Sequence, residues 1–338
     1  MTRPSVRLVL VFAAVRMAAQ TTRSVENVFQ PASTPAHQIF DLSILVLAIC
    51  AAIFLVVGGL LTYTLIRFRR RASGDGHEPA QVYGSSQIEI AWTVIPILIV
   101  LVLTMATARV ISAVQNRVAP ADAVQVTVVG HQWWWEFRYP GFGIVTANEL
   151  HVPLSTAAQP KLTFLKLQSA DVAHSFWVPR LAGKTDLIPG RTNEMWMEPK
   201  QQGTFLGNCA EYCGTQHANM LLRVIVQSPE QFDQWVAQQK TAGATEAAVQ
   251  SGRALFLSLS CINCHTVSGT AAVGTFGPDL SHLMSRDSLG AGVIPNSPSN
   301  LRSWIQDPQV SKPGNLMPNM QLNDKELDQV VAYLASLR

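Results

Sequence analysis
The chain has 338 residues, 48% of them apolar and 14% charged, with a formal net charge of +3, and its mean hydropathy is +0.18. Soluble domains carry roughly 25% charged residues, so this composition points to membrane content, and the length allows two or three domains. No Lys/Arg stripe interleaved with aromatics runs through it, which argues against nucleic acid as a partner, and five cysteines in a chain this long exclude a disulfide scaffold.

Residues 1–20 read as an export signal, with Arg3 and Arg7 ahead of a short apolar stretch that Arg16 interrupts. Residues 42–66 and 90–108 then run for 25 and 19 positions without a charge. Each can cross ~30 Å of hydrocarbon at ~1.5 Å per residue, which predicts a transmembrane hairpin over 38–112. Cys50 falls in the first span and reads as packing; Pro96 lies one turn into the second, where neighbouring helices can satisfy the freed carbonyl. The loop between the spans opens with "RFRRR" at 67–71. Positive loops face the cytoplasm, so both chain ends are expected outside.

Over 120–228 the pattern turns β-rich. "VQVTVVG", "WWWEFRY", "KLTFLKL" and "LLRVIVQ" are separated by Pro, Gly and Asn turns, which predicts a β-sandwich or barrel. Residues 229–246 predict a short helix and a small, polar linker, "KTAGATEAA". Residues 247–338 read as helical: Asn323 and Glu326 resemble a capping box, and Leu327, Val330, Val331, Leu334 and Leu337 follow at helical spacing.

Chemistry concentrates at two cysteine pairs. In "NCAEYCGTQHANM" at 208–220, Cys209, Cys213, His217 and Met220 form a soft-to-borderline donor set. Zinc accepts Cys and His but rarely Met, whereas electron-transfer copper combines Cys and His with a weak Met. Two thiolates so close could bridge two ions; a disulfide is the alternative for an exported domain, and it leaves His217 and Met220 unexplained. His174 in "DVAHSFWVP" is the candidate for one more strong ligand. The second pair, "CINCH" at 261–265, is a haem c attachment motif. Cys261 and Cys264 would form the thioethers and His265 the proximal ligand. Met317 and Met320 in "KPGNLMPNM" are candidates for the distal ligand, with His282 behind both; resemblance to class I cytochromes c, where the distal Met commonly sits in a Met-Pro context before the C-terminal helix, implies Met317.

Taken together, "CAEYCGTQHANM", "AHSFWVP", "KTDLIPGR", "VVGHQWWWEFRY" and "QIEIAWTVIP" resemble subunit II of cytochrome c oxidase from about residue 40 to 227, and 247–338 resembles a class I cytochrome c. The fold class implied is a multidomain one: a two-helix transmembrane hairpin, a cupredoxin-like β-barrel and a C-terminal all-α cytochrome c domain, as in the caa-type bacterial oxidases. The resemblance implies a dinuclear copper centre bridged by Cys209 and Cys213. His174 and His217 are its terminal ligands, and Met220 and the Glu211 carbonyl complete it. It implies that the Glu211 carboxylate reaches a Mg²⁺ or Mn²⁺ at the boundary with subunit I, that electrons enter at Trp133, and that Glu89 marks a proton-channel entrance. Asp186 and Arg191 would connect the copper site to subunit I. Solvated or salt-bridged roles remain the alternatives for Glu89, Glu211, Asp186 and Arg191. For Trp133, Trp134 and Trp135 the alternative is a strand with core on one face and membrane interface on the other. Arg286 and Trp304 could contact haem propionates or be ordinary surface residues.

The expected role is relay of electrons from a cytochrome c or similar donor through haem c and copper to subunit I, with O₂ reduction and proton translocation there. Subunit III is a further expected partner. The expected location is the bacterial inner membrane with the soluble domains on the periplasmic side. The same module could serve a copper-containing nitric oxide reductase. A copper carrier has no use for a covalent haem, a tethered cytochrome shuttle no use for the ligand set, and quinol oxidase relatives lack these ligands.

Overall fold
The structure, a computed structural model, describes residues 27–69, 81, 83–116, 118–241 and 249–338. The expected signal at 1–20, Arg70 and Arg71 of the positive loop, and 242–248 of the linker lie outside the described residues.

Two helices open the described chain, α1 (Thr34–Arg67) and α2 (Ser86–Gln115). They extend beyond the uncharged runs because flanking polar residues continue the helical turn at both ends. Their most apolar segments bury nothing against the rest of the chain, the condition for a helix whose solvent is lipid. Pro96 is accommodated inside α2. One end of each helix is tied to the β-rich unit. The Ala32 N–H donates to the Arg180 carbonyl at 2.8 Å, and the Lys200 N–H donates to the Ala32 carbonyl at 2.7 Å. The Trp196 indole N–H donates to the Val114 carbonyl at 2.7 Å.

The β-rich unit contains β1 (Val124–His131), β2 (Trp134–Tyr139), β3 (Ile144–Ala147), β4 (Glu149–Pro153), β5 (Thr163–Ser169), β6 (His174–Trp177), β7 (Thr185–Leu187), β8 (Asn193–Met197), β9 (Gly203–Cys209) and β10 (Leu221–Gln227). They form two five-stranded sheets, ordered β3-β2-β1-β5-β8 and β4-β10-β9-β6-β7. Period-two patterning decides the facing. In β10 Leu222, Val224 and Val226 point into the core and alternate with half-buried neighbours. Trp135, Phe137, Tyr139, Phe176 and Phe205 fill the space between the sheets. The tryptophan run does not lie in one strand as expected. Gln132 and Trp133 form the turn between β1 and β2. Trp133 and Trp135 both join the core, while Trp134 stacks on His131 with centroids 4.2 Å apart.

Helix α3 (Pro229–Gln239) begins with a capping box between Ser228 and Gln231 and packs Phe232 and Trp235 onto the same core. The C-terminal unit comprises α4 (Gln250–Ser258), α5 (Cys261–Cys264), α6 (Pro298–Gln306), α7 (Pro308–Ser311) and α8 (Asp324–Ala335). A two-residue hairpin, β11 (Ser288–Leu289) with β12 (Ile294–Pro295), is added to these helices. The capping box of Asn323 and Glu326 forms as read from sequence, and Leu327, Val330, Val331, Leu334 and Leu337 are all buried.

Candidate functional site
His174 opens β6, Cys209 ends β9, and the loop to β10 carries Cys213, His217 and Met220. Three neighbouring strand ends thus deliver the donors predicted from sequence to one place. The two Sγ atoms lie 3.8 Å apart. His174 Nδ1 is 3.9 Å from Cys209 Sγ, and His217 Nδ1 is 3.7 Å from Cys213 Sγ. Met220 Sδ is 3.8 Å from Cys213 Sγ, and the Glu211 carbonyl is 3.1 Å from Cys209 Sγ. Cys209, Cys213, His174 and Met220 are buried, whereas Glu211 is exposed. A disulfide needs its sulfurs at ~2.05 Å; here the paired thiols, flanked by imidazoles, fit a soft metal. The contact between the thiols lowers the pKa of Cys209 and raises that of Cys213.

The loop is held from outside. The Gln132 amide and the Trp133 indole N–H both donate to the Cys213 carbonyl, at 2.8 and 2.9 Å. Nε2 of His174 lies 2.8 Å from Asp171 Oδ1. Burial opposes protonation of His174, yet Asp171 and Cys209 outweigh it and raise its pKa. Asp171 in turn accepts from the Gln132 and Val172 N–H groups, each at 2.6 Å. Gly130 is required beside this ring, because a Cβ there would stand 2.8 Å from His174 Cδ2. Asp171 carries no motif in the sequence; only its place three residues before His174 hints at it.

The second pair lines a cavity of about 390 Å³ together with His265, Met317 and Met320. Its walls are apolar, Leu280, Leu301, Ile305 and Val330 among them. His265 Nδ1 lies 2.7 Å from the Pro278 carbonyl, which leaves Nε2 free, and burial lowers the His265 pKa. A Cβ at Gly277 would lie 2.6 Å from the His265 ring. Attachment thiols, an oriented imidazole and a dry wall with thioethers on it fit haem c. Met320 Sδ accepts from Ser260 Oγ at 3.8 Å. Arg286 and Trp304 also line the cavity, and Arg286 is buried rather than a surface residue. His282 points away from the cavity, its two ring nitrogens 3.0 and 3.1 Å from the Arg338 and Gln239 carbonyls. Glu89 lies exposed in the first turn of α2, and Asp186 and Arg191 are exposed around the end of β7.

An apolar helix pair, a β-sandwich with a converged sulfur–imidazole cluster, and a CINCH helical unit define a membrane-bound copper and haem electron-transfer protein. Residues 22–110 match the family described as cytochrome c oxidase subunit II, transmembrane domain, 157–228 its periplasmic domain, and 249–338 cytochrome c. Cytochrome c oxidase subunit 2 of Alkalihalophilus pseudofirmus is 36% identical, covering 91% of this chain and 90% of that protein. Its counterpart in Bacillus sp. PS3 is 34% identical over 92% and 91%. The solved periplasmic domain of oxidase subunit II from Bradyrhizobium japonicum is 30% identical, covers 36% of this chain and 97% of that one, and has a TM-score of 0.34. The chain belongs to the cytochrome c oxidase subunit II family, with a C-terminal cytochrome c domain. It is a membrane protein and a subunit of a haem–copper oxidase complex, and its family implies copper and haem c.

Proposed function
We propose that Cys209 and Cys213 bridge two copper ions, with His174 and His217 as terminal ligands and Met220 and the Glu211 carbonyl completing the set. In this reading Cys261, Cys264, His265 and Met317 hold one covalent haem c. The observation that carries it is the 3.8 Å separation of two thiols, each with an imidazole beside it. When bound, the two groups supply one-electron chemistry between a cytochrome c or similar donor and subunit I, where O₂ is reduced and protons are translocated.

The residues of this chain do the holding. Asp171 fixes the His174 tautomer, a carboxylate–imidazole support typical of metal ligands. Gln132 and Trp133 pin the Cys213 carbonyl, and a pinned loop limits rearrangement when charge changes. Trp133 is the point at which electrons reach the copper loop. The exposed Glu211 carboxylate faces a Mg²⁺ or Mn²⁺ at the boundary with subunit I, and Asp186 and Arg191 face the same subunit. Glu89 stands at a proton-channel entrance, and subunit III joins the assembly. The working units are the hairpin 38–112, the copper domain 120–228, the connector 229–246 and the cytochrome domain 247–338, behind a signal at 1–20. The soluble units lie on the periplasmic side of the bacterial inner membrane.

The test is EPR and near-infrared spectroscopy of the full chain in detergent, matured with haem c and loaded with copper. A multi-line signal from one electron shared by two copper nuclei, lost in Cys213→Ser, is expected. A single-copper spectrum overturns the dinuclear assignment.

A further inference from the structure
Two ionisable side chains, Lys312 and Glu149, are buried at the boundary between the β-rich unit and the C-terminal unit, and Lys312 also lines the cavity that holds the CINCH residues. Lys312, the C-cap residue after α7, is 3% exposed. Its ammonium donates to the carbonyls of Trp133 at 2.7 Å, Asn219 at 2.9 Å and Gly290 at 2.9 Å. Three N–H donors meet three acceptors, so the group is fully satisfied. Two of the acceptors belong to the β-rich unit: Trp133 in the turn that pins Cys213, and Asn219 beside Met220.

Glu149, at the start of β4, is 1% exposed. It accepts from the Asp287 N–H at 2.9 and 3.1 Å, from the Ser288 N–H at 3.1 Å and from Ser288 Oγ at 3.2 Å. Arg223 on the neighbouring strand β10 lies 3.5 Å away. Between the two charges the Leu221 N–H donates to the Ala291 carbonyl at 3.1 Å, and the Gln216 amide donates to the Pro313 carbonyl. A buried ammonium or carboxylate costs several kcal/mol unless its hydrogen bonds are complete. Each charge therefore tolerates burial only in the register that completes its partners, and a sliding or swinging contact would leave both unsatisfied.

We infer that Lys312 and Glu149 are two polar latches that clamp the cytochrome unit onto the copper loop in one fixed register and close the Trp133 face to other molecules. The cavity supports this, because Gln132, Trp133, Trp134 and Asn148 of the β-rich unit line it together with the CINCH residues. Trp133 is 8% exposed. The open side of the same cavity carries Phe276 and Leu316, 60% and 53% exposed. The electron-transfer meaning of the clamp rests on the proposed cofactors, but the clamp itself rests only on the protein contacts.

The test is residue-resolved hydrogen exchange and hydroxyl-radical footprinting on the full chain in detergent, with Lys312→Met, Glu149→Gln and the double variant. Copper and haem spectra are recorded on the same samples. In the unaltered chain the Ser288 and Leu221 amides should exchange slowly and Trp133 should resist oxidation. The double variant should speed exchange at both amides at least tenfold and expose Trp133, with protection at Val224 and Leu327 unchanged, so that loss of the clamp is separated from unfolding. Free exchange at both amides and an oxidised Trp133 in the unaltered chain, or no change in the double variant, overturns the clamp. Normal exchange protection without the copper or haem spectra would overturn the proposed cofactors and leave the clamp standing.

Discussion

Asp171 Oδ1 lies 2.8 Å from Nε2 of His174, while the other ring nitrogen faces Cys209 Sγ at 3.9 Å. The carboxylate thus decides which nitrogen is offered to the sulfur cluster. Removing such a support costs metal sites about 10–100-fold in affinity. Asp171→Ala should weaken copper binding by that factor in a chelator competition, with the β-sandwich intact by circular dichroism; unchanged affinity would remove Asp171 from the site.

The second support is steric. Gly277 lets the His265 ring lie where a Cβ would approach it to 2.6 Å. Gly277→Ala should turn or displace His265, at an overpacking cost of about 1–3 kcal/mol. The absorption spectrum of the matured protein should show altered axial ligation, with both thioethers still formed. A spectrum like that of the unaltered protein would show that the ring has room to adjust.

Trp135 is completely buried, packs edge-on against Phe176 at 5.7 Å and lies 6.1 Å from His174. Trp135→Ala should destabilise the β-rich unit by about 3–5 kcal/mol and loosen the copper cluster with it. Calorimetry and chelator competition on the same variant should therefore move together, and an effect on stability alone would uncouple the core from the site.

His151 stacks on Trp235 with centroids 4.3 Å apart, and its Nδ1 lies 3.0 Å from Gln227 Oε1. Burial depresses its pKa to about 4, against about 6.5 in an unfolded chain. The unfolded state thus binds the extra proton first. The stability from neutral His151 is complete above about pH 6.5 and is lost as pH falls towards 4. Melting of the β-rich unit should drop over that window, and His151→Gln should flatten this part of the profile. An equal drop in the variant would assign it to other groups.

Much of this molecule is readable locally. The hairpin follows from two uncharged runs, the capping box of α8 from Asn323 and Glu326, and both cysteine clusters from short spacings, because each lies within a few turns of chain. His174 needed the incomplete donor set at 209–220 to single it out. What stayed hidden is made by distant contacts: Lys312 meets Trp133 across 179 positions, and Glu149 meets Ser288 across 139. The tryptophan run keeps its alternation although a turn at Gln132 and Trp133 precedes the strand: Trp133 and Trp135 join the core and Trp134 does not.

The ties at Ala32 and Val114 fasten the two apolar helices to one rigid sandwich at the point where each meets it. Tilting either helix against the sandwich at that end would break these hydrogen bonds, so the two helices and the sulfur cluster share one anchoring point in the β-rich unit.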